Sequence, residues 1–417
     1  MIKNYLFQLP KHTLKLVKDI GEAAQVKNVA VYLVGGVVRD IILKHKGVDL
    51  DFVVEEDAMS LAKDLKNKFK AEIQIYPQFG TVTLFLPNGR VLDFATARSE
   101  TYVHSGALPT VKPGSLNDDL FRRDFTINAL AIAINPSHFG ELIDLFGGLQ
   151  DIKKKAIRVL HDQSFMDDPT RILRAVRFEQ RLGFHIESST LQLLKTALKG
   201  RADQNVKSPR YLAEFKKIAQ EASHAKMYQR LKLLKGFRFI DEKLHLNWAA
   251  LNKTIKQFKG LRKNLLYKDR GQIWLIHFLG LISQAGLPMR KQLGEKFNLS
   301  REDRATIMHV FKAPSILKTL AKCRLASEAY DILKPLTMDA IIYMRIHGRQ
   351  NCRRKIDRFL SRDIHVRLAI NGDSLQKIGM TSGQQMGEVL KNVLHYKIDH
   401  QIQTKEEELA VVKKLLN

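Results

Sequence analysis

The sequence predicts an α+β protein: a mixed sheet with helices over the first 150 residues, then an all-helical remainder. Three observations carry that reading. Short alternating apolar segments recur through the first hundred residues and then nearly vanish. From about Asp167 onward apolar positions recur at helical spacing, in segments such as "STLQLLKTAL" and "RYLAEFKKIAQEA". Charge divides the chain in the same way. Residues 1–150 hold 17 Lys+Arg and 17 Asp+Glu, so the net charge of +26 lies entirely beyond them.

The elements follow in order. "VAVYLV" (29–34) is a short buried strand ending at Gly35-Gly36, and "VVRDIILKH" (37–45) continues as a helix. "LDFVVE" (50–55) is a second strand, and "DAMSLAKDLKNKF" (57–69) is an amphipathic helix with Asp57 as N-cap. "AEIQIY", "TVTLFL" and "RVLDFA" alternate as strands, the last two joined by the hairpin turn Pro87-Asn88-Gly89. This order suggests a small mixed sheet with helices on one face. "FTINALAI" (125–132) reads as an apolar helix behind Arg122-Arg123-Asp124. Asp168 and Pro169 read as N-cap and first position of a helix carrying Arg171, Arg174 and Arg177.

With 417 residues the chain is long enough for two or more domains. No apolar run is long enough to span a membrane, and the N-terminus lacks a signal-peptide pattern. Cys323 and Cys352 are too few for a disulfide framework or a CxxC metal site, so a reduced, cytoplasmic protein is expected. Residues 201–300 alone hold 21 basic and 7 acidic side chains. A neutral first part joined to a basic second part suggests a chemical domain joined to a polynucleotide-binding body. No obligate protein partner is inferred.

The chemistry concentrates in four places. Gly35-Gly36, at a strand-to-helix junction, lets backbone amides approach an anion, and Arg39 stands one turn in; a tight turn is the plainer reading. Asp49 and Asp51 are spaced to share one face of a strand, where two like charges repel unless a cation lies between them. Hard oxygen ligands of this kind suit Mg²⁺, and Asp93 reaches the same face if its strand lies alongside; strand-edge charges are the alternative. Arg122 and Arg123 suit a triphosphate, and Asp124 a ribose hydroxyl. Arg171, Arg174 and Arg177 form a slowly turning basic stripe with few acidic neighbours on its own helix.

"LVGGVVRD", "DLD", "DLFRRDFTINALA", "LIDLFGGLQDI" and "DDPTRILRAVRF" occur in this order over residues 30–185. In that order they resemble the class II (bacterial-type) tRNA nucleotidyltransferase and poly(A) polymerase family. "NGDSLQKIGMTSGQQMGEVLK" resembles a family tail motif, with Ser382-Gly383-Gln384 where Pro-Gly-Pro is commoner. Asp167 stands where the family motif usually has Glu.

The resemblance implies a polymerase-β-like catalytic head (1–150), a helical neck (151–200), a basic RNA-binding body (201–360) and a helical tail that binds tRNA (361–417). It implies that Asp49 and Asp51 hold Mg²⁺, with Asp93 as a further catalytic carboxylate. Gly35, Gly36, Arg39, Arg122, Arg123, Asp124 and Asn128 would bind the nucleotide. On the neck helix Asp168 and Arg171 would read the base, and Arg174 and Arg177 would line the site. The implied partners are ATP, CTP and the 3′ end and acceptor arm of tRNA, with addition of CMP and/or AMP and release of pyrophosphate. "SETYVHSGALPTVKPGSLND" (99–118) lies where a flexible loop separates CCA-, CC- and A-adding members, and its wording resembles A-adding relatives somewhat. The alternatives are a poly(A) polymerase and a catalytically silent RNA-binding protein. His161-Asp162 is a lone "HD" without further metal ligands and reads as local structure.

Overall fold

The computed structural model describes every residue except 1–3, 46, 48, 205, 207, 243, 382 and 417, so Ser382 of the tail motif lies outside the described residues. The chain forms two compact units, one of residues 1–214 and 221–239 and one of residues 215–220 and 240–417.

The first unit begins with α1 (Lys11–Val26), β1 (Val31–Val34), α2 (Gly36–Ile42), β2 (Leu50–Val54) and α3 (Ala58–Phe69). β3 (Glu72–Tyr76), β4 (Thr81–Phe85) and β5 (Val91–Thr96) follow, then a ribbon of β6 (Arg98–Thr101) and β7 (Thr110–Pro113). α4 (Leu116–Phe121), β8 (Ala131–Ala133), β9 (Leu142–Ile143) and α5 (Gly148–Lys154) complete the sheet region. The sheet runs β3-β4-β5-β2-β1-β8-β9; β2 and β5 pair in parallel and the other neighbours antiparallel.

The local causes are those legible in the chain. Asp57 caps α3 by accepting from the amides of Met59 and Ser60, and Ala58, Leu61, Ala62 and Leu65 bury its apolar stripe. Gly89, at φ +79°, closes the β4–β5 hairpin with its amide on Leu86 O at 2.9 Å. Leu50 and Phe52 pair in register with Leu92 and Phe94, and the two phenylalanine rings stack at 4.8 Å. Because side chains alternate across a strand, Asp51 and Asp93 then stand side by side on the other face.

The segment "FTINALAI" corrects the reading above. Instead of a helix it forms a short 3₁₀ turn at Thr126–Asn128 and then the interior strand β8, paired with β1. Ala131, Ile132 and Ala133 are buried, and a continuous apolar run looks the same in a buried strand and a buried helix.

β10 (Ala156–Ile157), α6 (Ser164–Asp167), α7 (Arg171–Leu182), β11 (His185–Ile186), α8 (Ser188–Lys199), α9 (Ser208–Gln220) and α10 (His224–Leu233) follow. The parallel pair β10–β11 is a second correction, since an all-helical segment was expected here; two-residue strands are too short to show a period. α7 starts at Arg171, later than the Asp168-Pro169 cap predicted. Asp168 nevertheless accepts from the Thr170 amide at 3.0 Å, a cap-like bond one turn early.

The second unit is helical throughout its described residues. Its helix Ile273–Leu281 is buried on every side, and among the described residues no helix is long and apolar enough to cross a membrane. Arg290 is 3% exposed and donates to the carbonyls of Ala285, Ile282 and Ser283, which satisfies the end of that helix. Near the C-terminus, buried Glu408 accepts from the amides of Ala369 and Ile370 and from Lys397 Nζ. These bonds tie the helices Gln384–His400 and Lys405–Leu416 to the preceding segment.

Candidate active site

The β2 and β5 register places Asp51 against Asp93, and Asp93 against Thr83 on β4, whose hydroxyl donates to the Asp93 carboxylate at 2.6 Å. Asp49 lies one residue before β2 and is exposed. The Asp51 pKa is raised to about 6, chiefly because the surrounding protein crowds the carboxylate. Asp93 and Asp49 contribute to that rise, against the opposing pull of Arg123.

Asp49 and Asp51 line a cleft of about 540 Å³ together with Gly36, Arg39, Arg122, Arg123, Asp124, Asn128, Asp168, Arg171, Arg174 and Arg177. Of the residues singled out in the sequence, Gly35 and Asp93 lie outside its lining. Asp93 shares a smaller adjoining pocket with Asp51, Arg122 and Arg123. Gly35 supports the cleft from behind: at φ +76° its missing Cβ would stand 2.5 Å from Arg123 Nη1.

Arg39, Arg122 and Arg123 are each held by a specific acid. Asp119 is fully buried and grips Arg122 through Oδ1 at 2.5 Å and Arg123 through Oδ2 at 2.6 Å. Burial acts to raise its pKa, but the two guanidiniums outweigh it and hold the carboxyl below its usual range. Glu100 on β6 adds a second acid to Arg122 at 3.1 Å and accepts from the Tyr102 hydroxyl at 3.0 Å. Arg39 donates to both oxygens of Asp40 at 2.9 Å and to Asn128 Oδ1. Asn128 in turn donates to Asp124 at 2.9 Å.

The basic stripe on α7 also finds partners, but from other elements. Arg174 binds Asp124 and Glu214, and Arg177 lies 3.6 Å from Glu214 and 3.4 Å from Glu221. The guanidiniums of Arg39, Arg174 and Arg177 lie 5.1, 5.5 and 4.9 Å from the Phe178 ring centre. Arg171 is 4% exposed and donates to Ser164 Oγ and to Arg122 O at 2.7 Å. Asp168 accepts from Thr170 on one oxygen and from Arg210 on the other.

The residues that sequence reasoning missed are mostly these partners. Asp119 was findable, because it lies three and four residues before Arg122 and Arg123 on one helix face. The stretch "LIDLFGGLQDI" proves to be scaffold. Asp144 accepts from the amides of Gly148 and Leu149, and Asp151 accepts from Thr126 Oγ1 at 2.6 Å. A Cβ on Gly148 would stand 2.2 Å from Thr126 O, so the glycine lets α5 press against the turn that carries Asn128. His161 lies 3.8 Å from Asp167 and packs on Phe121, with burial and Arg171 lowering its pKa.

Among the described residues no group of three or more His, Cys, Asp or Glu side chains is arranged to hold a metal ion alone. Asp49 and Asp51 still suit a divalent ion. They are hard oxygen donors on one cleft wall, Asp93 stands beside Asp51 as a further carboxylate, and Mg²⁺ commonly binds one or two carboxylates plus substrate phosphates.

A family model for the poly A polymerase head domain matches residues 31–158. An A-adding tRNA nucleotidyltransferase of Geobacter sulfurreducens is 33% identical over 98% of this chain and 47% of its own length. The chain thus spans about half the length of the curated relatives it matches first. Among solved structures, a CCA-adding enzyme in apo form II has a TM-score of 0.78 and 33% identity, covering 98% of this chain and 97% of that one. The Thermotoga maritima CCA-adding enzyme complexed with tRNA has a TM-score of 0.72 and 32% identity, covering 99% and 98%. With a shared head domain and near-complete coverage by these structures, the chain belongs to the class II tRNA nucleotidyltransferase family.

Proposed function

We propose that this chain is a template-independent RNA nucleotidyltransferase that transfers CMP and/or AMP from CTP or ATP to the 3′ end of tRNA. The observation that carries the proposal is one cleft joining a carboxylate pair, a guanidinium cluster and the Asp168–Arg171 pair. The RNA 3′ oxygen attacks the α-phosphate in line and pyrophosphate leaves. What bound Mg²⁺ supplies at Asp49 and Asp51 is activation of that hydroxyl and neutralisation of the leaving pyrophosphate.

In this reading Gly36, Arg39, Arg122 and Arg123 bind the phosphates, and Asp119 fixes the last two in place. Asp124 and Asn128 lie beside the ribose, and Arg174 and Arg177 complete the nucleotide site. Asp93, aligned with Asp51, serves as the further carboxylate. Cytosine and adenine each present an amino donor beside a ring-nitrogen acceptor. Asp168 accepts from the amino group and Arg171 donates to the ring nitrogen. Uracil and guanine reverse the pattern and would leave a charge unpaired, which rejects them.

The basic residues beyond 200 support RNA binding by backbone and shape, through a body of 201–360 and a tail of 361–417 that follow the neck of 151–200. Free Cys323 and Cys352 support a reducing, cytoplasmic setting. The Geobacter relative and the "ALPTVKPGSL" segment favour the terminal AMP step. The test offers tRNAs ending at the discriminator base, at C or at CC with each NTP separately, and sizes the products to one nucleotide. Extension of CC ends by ATP alone identifies an A-adding enzyme; no extension of any tRNA overturns the proposal. The match to a poly A polymerase head domain keeps a second reading, tested by ATP with a generic RNA end.

A further inference from the structure

Asp168 is held from two sides. Its Oδ1 accepts from the Thr170 amide at 3.0 Å and from the Thr170 hydroxyl at 2.6 Å. Its Oδ2 lies 2.9 Å from Nη2 of Arg210, a residue in the first turn of α9. The other terminal nitrogen of the same guanidinium donates to Gly106 O at 3.2 Å. Gly106 belongs to the segment between β6 and β7. That segment is fastened next to Asp168 by two more contacts: the Gly106 amide faces the carbonyls of Met166 and Asp167 at 3.2 Å, and Ser105 Oγ donates to Met166 O at 2.7 Å. One planar fork therefore spans the carboxylate and the connecting segment.

We propose that Arg210 is a positioning residue for base selection. It fixes the plane of the Asp168 carboxylate and ties that plane to the segment around Gly106. The inference rests on the reading of Asp168 as the base-reading acid. A freely rotating carboxylate meets an amino group or avoids a carbonyl with little preference. One locked on both oxygens offers its remaining lone pairs in a single direction, so a base with oxygen at that point meets an acceptor facing an acceptor. Arg210 also brings positive charge to this half-buried carboxylate. The fork geometry matters as well as the charge, because an ammonium cannot span two acceptors in one plane.

The experiment measures kcat/KM for all four NTPs on a tRNA acceptor with Arg210→Ala, Arg210→Lys and Asp168→Asn, with a thermal melt of each. The Arg210→Ala enzyme is expected to lose about tenfold in discrimination against UTP and GTP, with Arg210→Lys intermediate. Part-exposed ion pairs contribute little to stability, so the melts should stay close to the parent. An equal loss on all four NTPs, or unchanged selection in the Arg210 variants while Asp168→Asn alters it, overturns the role of Arg210 alone. Unchanged selection in Asp168→Asn overturns the base-reading assignment itself, and this inference with it.

Discussion

Arg174 meets Asp124 through two hydrogen bonds to a single oxygen, from Nε at 2.8 Å and Nη2 at 2.5 Å, although fifty residues separate them. Asp124 is 8% exposed. Burial alone would raise its pKa, yet Arg174, with Asn128 assisting, brings it down to about 2. Removing the cation leaves a buried carboxylate uncompensated. Arg174→Ala should therefore lower the stability of the first unit by about 3 kcal/mol, as well as impair turnover. Urea unfolding followed by probes in residues 1–214 checks this, and a loss well under 1 kcal/mol would show that the pair is not load-carrying. The pH sign follows from the depressed pKa. The pair's contribution is present above the ordinary Asp value of 3.8 and is lost as pH falls toward about 2.

Asp49→Ala should abolish nucleotide incorporation while leaving tRNA affinity nearly intact. Its motive is the carboxylate pair in the cleft, with Asp93 standing beside Asp51. Asp49 is exposed and lies just outside β2, so its loss should not disturb folding. Single-turnover incorporation and equilibrium tRNA binding, measured side by side, separate the outcomes. Retained turnover would remove Asp49 from the metal-binding role.

The parts of this molecule legible in the sequence are those set by local rules. The Asp57 cap, the Gly89 hairpin and the alternation through β2 and β5 follow from neighbours within a few residues. That alternation is also why Asp51 could be paired with Asp93 in advance, once the two strands were allowed to lie together. What escaped depends on distant contacts. Glu214 and Glu221 reach Arg174 and Arg177 from about forty residues away, so a stripe that looks unpaired in sequence is paired in space. The strand β8 escaped because its run of Ala and Ile is buried on both faces and shows no period. Phe178, with three guanidiniums around one ring, escaped because an aromatic on an amphipathic helix reads as ordinary core.

Binding of tRNA should weaken steeply with salt. Residues 201–300 carry 21 basic against 7 acidic side chains, and phosphate contacts release counterions from the RNA. The logarithm of the binding constant plotted against the logarithm of salt concentration should be linear, with a slope that grows with each phosphate neutralised. Lys→Glu exchanges within residues 201–300 should flatten the line, whereas Arg122→Lys in the cleft should leave the slope unchanged. A slope near zero would contradict RNA binding through this basic region.

His347 makes the second unit sensitive to mild acid. Its ring stacks on Tyr343 at 4.2 Å, and its Nε2 lies 3.0 Å from Thr254 Oγ1. The Thr254 hydroxyl donates to Ala250 O at 2.7 Å, so it accepts from His347, which fixes the neutral tautomer with hydrogen on Nε2. Burial, then Lys253 and Arg353, lower the His347 pKa from 6.5 to about 4. A histidine depressed in the folded state favours folding fully above its unfolded value and loses that contribution as pH falls. The loss begins near 6.5 and continues toward about 4. At pH 5 it amounts to about 2 kcal/mol, less some relief from partial exposure. His347→Gln removes the stack and should melt lower than the parent at pH 7.5. Its melting temperature should nevertheless fall less between pH 7.5 and pH 5, because glutamine has no proton to take up. Melts of both proteins at the two pH values, read by hydrogen exchange in the helix Met338–His347, decide the matter. Equal pH dependence in the two proteins would show that the acid sensitivity of this unit arises elsewhere.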